Sequence, residues 1–316
     1  MFDQPNTLSR AVEIICRDNL GLSPGESLLI VADPPLEPLA ARMAEFAREV
    51  GLSCELLEVG RVERAGLAPR GFTTETLAKA GAVLLVTSKS LSHTEQRRKA
   101  CTDYGVRIAS MPGVTEDMLC RLFRPGALRL VQQRTLAMAA RLEGVKRVRL
   151  RTERGTELEL SLEGRKIYTD TGVYHRPGSF GNLPAGEVSA SPVPRTLSGR
   201  LVLDVAFAGL GKVDGLVLEI EKGGLVSARG EKSREVMKLL SGAAERLAGE
   251  FGIGTNPLAR ACPPTLEAEK ALGTVHFGFG DNRSFGGENA ASGHWDAVAH
   301  CERIEVDGEL LELSAE

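Results

Sequence analysis

The first half of this chain contains several continuous apolar runs, and these restrict its fold more than any other feature of the sequence. SLLIVAD (Ser27 to Asp33) and AVLLVTS (Ala82 to Ser88) are apolar at successive positions, which is typical of parallel strands buried on both faces. CELLEV and VRIAS are expected to be further strands. Segments of helical character separate these runs; two of them end at Gly51 and Gly105, and another begins after the capping residue Thr115. This alternation predicts a doubly wound α/β domain with a mostly parallel sheet at residues 1–140.

The pattern changes after Arg141. VKRVRLRTERGTELELSLEG alternates apolar with charged residues around a tight glycine turn, and LVLDVAFAGLG and RIEVDGELLEL continue this style. One segment, EKSREVMKLLSGAAERLAG, has an apolar face at helical spacing and predicts a long helix. Residues 141–316 are therefore expected to form a strand-rich α+β domain, and a chain of 316 residues is long enough for two domains.

Charge and motif content narrow the classes of function. The net charge of -3 and the scattered basic residues do not indicate a nucleic-acid surface. No apolar run approaches the roughly 20 residues of a membrane helix, and MFDQPNTLSRAVEIICRDNL lacks the pattern of a signal peptide. The six cysteines show no Cys-x-x-Cys spacing, and neither G-x-G-x-x-G nor a Walker loop occurs. We expect a cytoplasmic protein with no nucleic-acid or membrane partner.

Two short stretches near the C-terminus combine histidine with small residues. In GHWDAV, His294 and Asp296 are two positions apart, so on a strand both side chains would point to the same side. In TVHFGFG, the face of a strand that carries His276 would otherwise show only Thr274 and Gly278. Imidazole and carboxylate together suit zinc, cobalt, manganese or iron. An ordinary hydrogen-bonded histidine is the alternative at each position.

Two glutamates are further candidates. Glu250 would follow the long predicted helix, where the helix dipole disfavours a carboxylate unless a cation lies nearby. Glu187 lies in a Pro-Ala-Gly loop that would hold a carboxylate rigidly. A solvated helix end remains the alternative interpretation of Glu250.

The stretches around these residues resemble one family of metallo-exopeptidases, the aminopeptidase T or leucyl aminopeptidase (thermophilic metalloprotease) group. The matching segments are NLPAGEVSASPV, GEFGIGTNP, EKALGTVHFGFGDNRSFGG and NAASGHWDAV, in family order over about residues 170–300. In the first half only SLSHTEQRRKA and RIASMPGVTEDM match, and only in style. The chain looks like a short, divergent member.

The resemblance implies a dinuclear metal site in the C-terminal domain, with two zinc, cobalt or manganese ions. Carried over residue by residue, it implies the metal ligands Glu187, Glu250, His276, His294 and Asp296. Three carboxylates and a bridging hydroxide would balance two divalent ions, whereas a single ion would leave surplus negative charge in a closed pocket.

The function implied by the resemblance is removal of N-terminal residues from short peptides. Two ions about 3.5–4 Å apart would activate a shared water. Glu187 or Glu269 would carry the proton to the leaving amine. Family members often have a tyrosine about seven residues after the strand histidine, where this chain has Arg283, which we expect to act as an electrostatic stabiliser instead. The resemblance also implies a homodimer.

Two rival functions stay open. His276, His294 and Asp296 form a two-histidine, one-carboxylate set that suits a single iron(II) ion, and ring-cleaving dioxygenases look like relatives of this fold. The replaced tyrosine fits such a change of role. The other rival is a non-catalytic protein that uses the fold to bind a ligand.

Overall fold

The computed structural model describes residues 6–313. Residues 1–5 and 314–316 lie outside the described residues. They include the ends of the two predicted domains and the start of the N-terminal stretch that lacks a signal-peptide pattern. The chain divides into two compact units: one runs to Gln132 and includes Asp170–Ala185, and the other comprises Gln133–Thr169 and the chain from Gly186 onward. The prediction of one boundary near residue 140 did not foresee that residues 170–185 return to the first unit.

The helices, in chain order, are α1 (Leu8–Ile14), α2 (Glu37–Glu49), α3 (Thr74–Leu77), α4 (Glu95–Tyr104), α5 (Glu116–Leu122), α6 (Ala127–Leu142), α7 (Ser233–Leu239) and α8 (Thr265–Ala268). A π-helical turn, Ile15–Asn19, continues α1, and a 3₁₀ turn covers Arg283–Phe285. Within the part of the chain that the structure describes, none of the helices has the length and apolar character that crossing a bilayer requires.

The strands of the first half are β1 (Ser27–Ala32), β2 (Ser53–Glu58), β3 (Ala82–Val86), β4 (Arg107–Ser110), β5 (Arg147–Arg151), β6 (Glu157–Ser161) and β7 (Tyr168–Asp170). Those of the second half are β8 (Phe180–Asn182), β9 (Glu187–Ala190), β10 (Ser198–Leu203), β11 (Ala206–Phe207), β12 (Gly211–Lys212), β13 (Leu216–Glu221), β14 (Gly224–Arg229), β15 (Ala248–Gly254), β16 (Thr274–Gly280), β17 (His294–His300), β18 (Arg303–Val306) and β19 (Glu309–Glu312).

The first unit is built on a five-stranded parallel sheet with the order β2-β1-β3-β4-β8. Every residue of β3 is buried, and so are Leu28–Ala32 of β1, as the apolar runs predict for central parallel strands. Helix signals are also confirmed: the Thr115 side chain accepts a hydrogen bond from the Met118 backbone N–H, and Gly105 ends α4 in the left-handed conformation. The α/β prediction for this half of the chain is confirmed.

The second unit contains two seven-stranded sheets, ordered β14-β13-β10-β6-β5-β18-β19 and β12-β11-β17-β16-β15-β9-β7. One hydrophobic cluster joins their inner faces, with Leu201 and Leu218 from the first sheet and Phe251, Phe277 and Phe279 from the second. These side chains are nearly or completely inaccessible to solvent, and truncating a buried phenylalanine of this kind to alanine costs about 3–5 kcal/mol. The core therefore fixes which face of β15, β16 and β17 points away from it.

The prediction of a long helix at residues 231–249 is wrong. Only α7 (Ser233–Leu239) forms, turns follow, and β15 begins at Ala248. Glu250 therefore lies on a strand rather than at a helix end, and the argument from the helix dipole does not apply to it.

Candidate metal centre

The site lies on the face of the β9-β15-β16-β17 sheet opposite the hydrophobic core. Because side chains alternate along a strand, Phe277 and Phe279 of β16 point into the core, whereas His276 and Gly278 point to the other side. The same alternation applies to the neighbouring strands, and register places Gly252 opposite His276 and Gly278 opposite Asp296. The outer face thus carries Glu187, Glu250, His276, His294 and Asp296.

Two glycines make room for the two imidazoles. A Cβ atom at Gly252 would overlap the His276 ring, and one at Gly278 would overlap Nε2 of His294 and lie 3.1 Å from Asp296 Oδ1. A strand interior normally gains from a side chain at such positions, so glycine here marks a close approach of functional groups.

Glu250, His294 and Asp296 form a group that could hold one metal ion, because each offers a ligand atom within 4.8 Å of the others. Nε2 of His294 lies 3.0 Å from Glu250 Oε2 and 3.0 Å from Asp296 Oδ1. Nδ1 of the same ring lies 2.8 Å from the Asp281 carbonyl oxygen, which can only accept, so Nδ1 carries a proton. This bond orients the ring and leaves Nε2 facing the two carboxylates, as in many metal-ligating histidines.

The electrostatics of this group favour a cation between the two carboxylates. Burial favours a neutral imidazole, but the charge of Asp296 and hydrogen bonds to Asp296 and Glu250 outweigh it and hold the pKa of His294 well above its usual range. Burial likewise opposes ionisation of Glu250, yet the neighbouring imidazoles of His276 and His294 lower its pKa well below the ordinary value. For Asp296 the His294 charge again outweighs burial and lowers the pKa. Without a metal, a proton on Nε2 supplies the positive charge.

A second cluster adjoins the first through Glu250. Nε2 of His276 lies 3.9 Å from Glu250 Oε1 and 3.5 Å from Glu187 Oε2. The Lys270 ammonium lies 2.6 Å from Glu187 Oε2 and 2.8 Å from Glu269 Oε1, and its side chain is completely buried. The sequence analysis did not identify Lys270. Its position between Glu269 and the apolar stretch before β16 could have indicated that it is buried beside the site.

Burial and neighbouring charges also perturb this second cluster. Burial raises the pKa of Glu269 to about 8. The charge of Lys270 opposes this shift, and the charges of Asp296 and Glu187 add to it. Burial disfavours a charged His276, but the nearby Glu250 carboxylate and the charges of Glu187 and Glu269 raise its pKa to about 9. Among residues 6–313, Nδ1 of His276 is buried and has no hydrogen-bond partner.

Arg283 lies at the edge of the site, about half exposed. Its guanidinium bonds to Asp281, with Nε 2.8 Å from Oδ2, and Asp281 in turn supplies the carbonyl that orients His294. The sequence interpretation made Arg283 a stabiliser of the transition state; the structure instead shows it bonded to the residue that supports a candidate ligand.

The amides of Asn282 and Asn289 hold the loop between β16 and β17. Asn282 Nδ2 donates to Ser191 Oγ and to the Gly249 carbonyl, and Asn289 Nδ2 donates to the Gly280 carbonyl at 2.7 Å. The Asn289 backbone N–H donates to Asn282 Oδ1. This network places the loop so that Asp281 can accept from His294.

A family model described as NicX, 2,5-dihydroxypyridine 5,6-dioxygenase, matches residues 22–313. The chain belongs to this family. A search of the curated protein sequences found no match. Among solved structures, the chain is similar to the 2,5-dihydroxypyridine dioxygenase from Pseudomonas putida KT2440 (20% identity, TM-score 0.79, covering 97% of this chain and 95% of that one). It is also similar to wild-type AmpT from Thermus thermophilus (19% identity, TM-score 0.70, 96% of each chain).

These findings correct the functional interpretation of the sequence. The prediction of a metalloaminopeptidase, a hydrolase that acts on short peptides, is wrong, because the NicX-family match names a dioxygenase of a small ring compound. The resemblance to aminopeptidase T was to a shared fold, which the similarity to AmpT also shows. The NicX-family match agrees with the alternative that the sequence left open, the iron dioxygenase.

Gly278→Ala is expected to turn the His294 ring away from Asp296, since the new Cβ would overlap Nε2. Overpacking of this kind costs about 1–3 kcal/mol, and a displaced ligand lowers metal affinity by about tenfold or more. Calorimetric titration with Co²⁺ and thermal melting would measure both effects. Gly224→Ala on β14, where the nearest atom lies 3.6 Å from the added Cβ, is the matched control. Unchanged metal affinity in Gly278→Ala would contradict the role given to this glycine.

Metal affinity is expected to rise with pH. The raised pKa of His294 keeps a proton on Nε2 at neutral pH, and an ion has to displace it. Lower pH favours the proton and higher pH favours the ion, so affinity increases by about tenfold per pH unit for each proton displaced, until the pKa is passed. Co²⁺ titrations between about pH 6 and 8 would test this; affinity independent of pH over that range would show that no proton is displaced.

Proposed function

We propose that this NicX-family chain is a mononuclear non-haem iron(II) dioxygenase that opens the ring of 2,5-dihydroxypyridine or a close hydroxylated analogue. The family match over residues 22–313 carries this proposal. The family description specifies attack at ring positions 5 and 6 by a dioxygenase, and a small planar ring replaces the peptide as the expected substrate.

The residues fit an iron(II) ion. The sequence grouped His276, His294 and Asp296, two imidazoles and one carboxylate, whereas the geometry groups Glu250, His294 and Asp296, two carboxylates and one imidazole. Both donor types occur in non-haem iron oxygenases. The charges of Glu250 and Asp296 balance one divalent ion, so the buried group is neutral once the ion replaces the proton of His294. We assign these three residues as the ligands, and we assign His276, Glu187 and Glu269 to the surroundings of the ion.

Iron(II), when bound, supplies the redox chemistry that allows molecular oxygen to react with an aromatic ring. The chain itself provides a dry site: the side chains of Glu250 and His276 are almost fully shielded from solvent. We infer that His276, whose Nε2 lies between Glu187 and Glu250, exchanges a proton with a ring hydroxyl group of the substrate. Asp281 fixes the His294 ring through Nδ1.

Iron-loaded protein is expected to consume oxygen when 2,5-dihydroxypyridine is added. His294→Gln, Asp296→Asn and Glu250→Gln each remove a proposed ligand, so each should lower the oxygen uptake rate by at least about 100-fold. Uptake is followed with an oxygen electrode and substrate loss by its ultraviolet absorbance, while elemental analysis gives the iron content, expected to be one ion per chain.

His300→Gln is the matched control, because His300 lies on the same strand, is about half exposed and pairs with Asp204 away from the candidate ligands. It should keep the activity. Folded, iron-loaded protein that consumes no oxygen with any dihydroxypyridine or dihydroxybenzene would disprove the proposed function.

A further inference from the structure

Lys270 holds a position where a lysine is rarely found. Its side chain is completely buried, and its ammonium contacts Glu187 at 2.6 Å and Glu269 at 2.8 Å. A lysine is almost never fully buried unless it is paired, and a paired buried lysine puts a fixed positive charge at a defined point. Here that point lies beside the candidate metal centre.

Glu250 divides the buried cluster into two halves. Its Oε2 faces His294 at 3.0 Å, and with Asp296 this half can bind an ion. Its Oε1 faces His276 at 3.9 Å, and the His276 ring in turn faces Glu187. A carboxylate with one oxygen in each half is the arrangement that bridges two metal ions, and two-metal sites need ions about 3.5–4 Å apart.

The second half also contains suitable donors, namely the Glu187 and Glu269 carboxylates and the imidazole of His276. The cation that these carboxylates contact in the structure is the Lys270 ammonium. Because Glu187 Oε2 is 3.5 Å from His276 Nε2 and 2.6 Å from Nζ, a metal ion bound by Glu187 and His276 would have to share that oxygen with the ammonium.

We propose that the Lys270 ammonium occupies the second cation position and thereby restricts the site to one metal ion. This inference rests on the proposed mononuclear function and deepens it by naming the residue that sets the stoichiometry. With one divalent ion, the ion and the ammonium bring three positive charges against the four carboxylates Glu187, Glu250, Glu269 and Asp296. A second ion would give five positive charges and would place a divalent ion against an ammonium at close range.

Removing the ammonium should therefore admit a second ion. Wild-type protein, Lys270→Arg and Lys270→Ala are dialysed against MnCl₂, and manganese per chain is measured by elemental analysis. We expect one ion in the wild type and in Lys270→Arg, which keeps the cation, and two in Lys270→Ala. The electron paramagnetic resonance spectrum should show coupling between neighbouring Mn²⁺ ions only in Lys270→Ala. One uncoupled ion in folded Lys270→Ala would overturn the proposal.

Two further variants decide the question if Lys270→Ala does not fold. Lys270→Met keeps the apolar stem without the charge and should also bind a second ion. Glu187→Gln, with Lys270 intact, should keep its single ion, with an affinity changed by about tenfold at most, because Glu187 serves the ammonium rather than the metal. Loss of the ion in Glu187→Gln would overturn the division into halves.

Failure of this inference is distinguishable from failure of the proposed function. One manganese ion in both the wild type and Lys270→Ala, with oxygen uptake intact in the iron-loaded wild type, would refute only the role of Lys270. One ion per wild-type chain and two in Lys270→Ala, without oxygen uptake, would refute only the dioxygenase.

Discussion

The structure of the site depends on a buried carboxylate, Glu250, which lies between the imidazoles of His276 and His294. A carboxylate buried to this degree is stable only when positive charge lies close to it. Its partners can approach because Gly252 and Gly278 leave space for the rings. The phenylalanines of the same strands fill the core on the opposite side of the sheet. Because side chains alternate between the two faces of a strand, the strand positions that pack the core also determine where the ligands lie.

Two proteins similar in fold to this chain are a 2,5-dihydroxypyridine dioxygenase and AmpT. The stretches that resemble aminopeptidase T are the strands that build the sheet face: GEV in β9, GEFGIG in β15, TVHFGFG in β16 and HWDAV in β17. Motifs of this kind describe a scaffold for metal ligands, and the chemistry depends on what surrounds them. Arg283, where the resemblance leads one to expect a tyrosine, was the residue that departed from the peptidase pattern.

The sequence predicted well those elements whose signals are local. The apolar runs gave β1 and β3, and His-x-Asp gave a strand with both side chains on one face. Prediction failed where packing against distant parts of the chain determines the secondary structure. The apolar spacing at residues 231–249 suits a helix, but only α7 forms and Ala248–Gly254 joins a sheet instead. The three-residue strand β8 carries no pattern of its own, and only its pairing with β4 defines it.

Lys270 escaped prediction because a charged residue is expected at the surface, and a count of charges from sequence included only the assumed ligands. Counting the whole buried cluster changes the conclusion. Burial and the charges of Asp296 and Glu187 raise the pKa of Glu269 to about 8, although Lys270 opposes this shift. With Glu187, Glu250 and Asp296 it makes four buried carboxyl groups, which face the Lys270 ammonium, one divalent ion and the His276 imidazole, whose pKa is raised to about 9. The surplus charge that seemed to require a second metal is the charge that Lys270 neutralises.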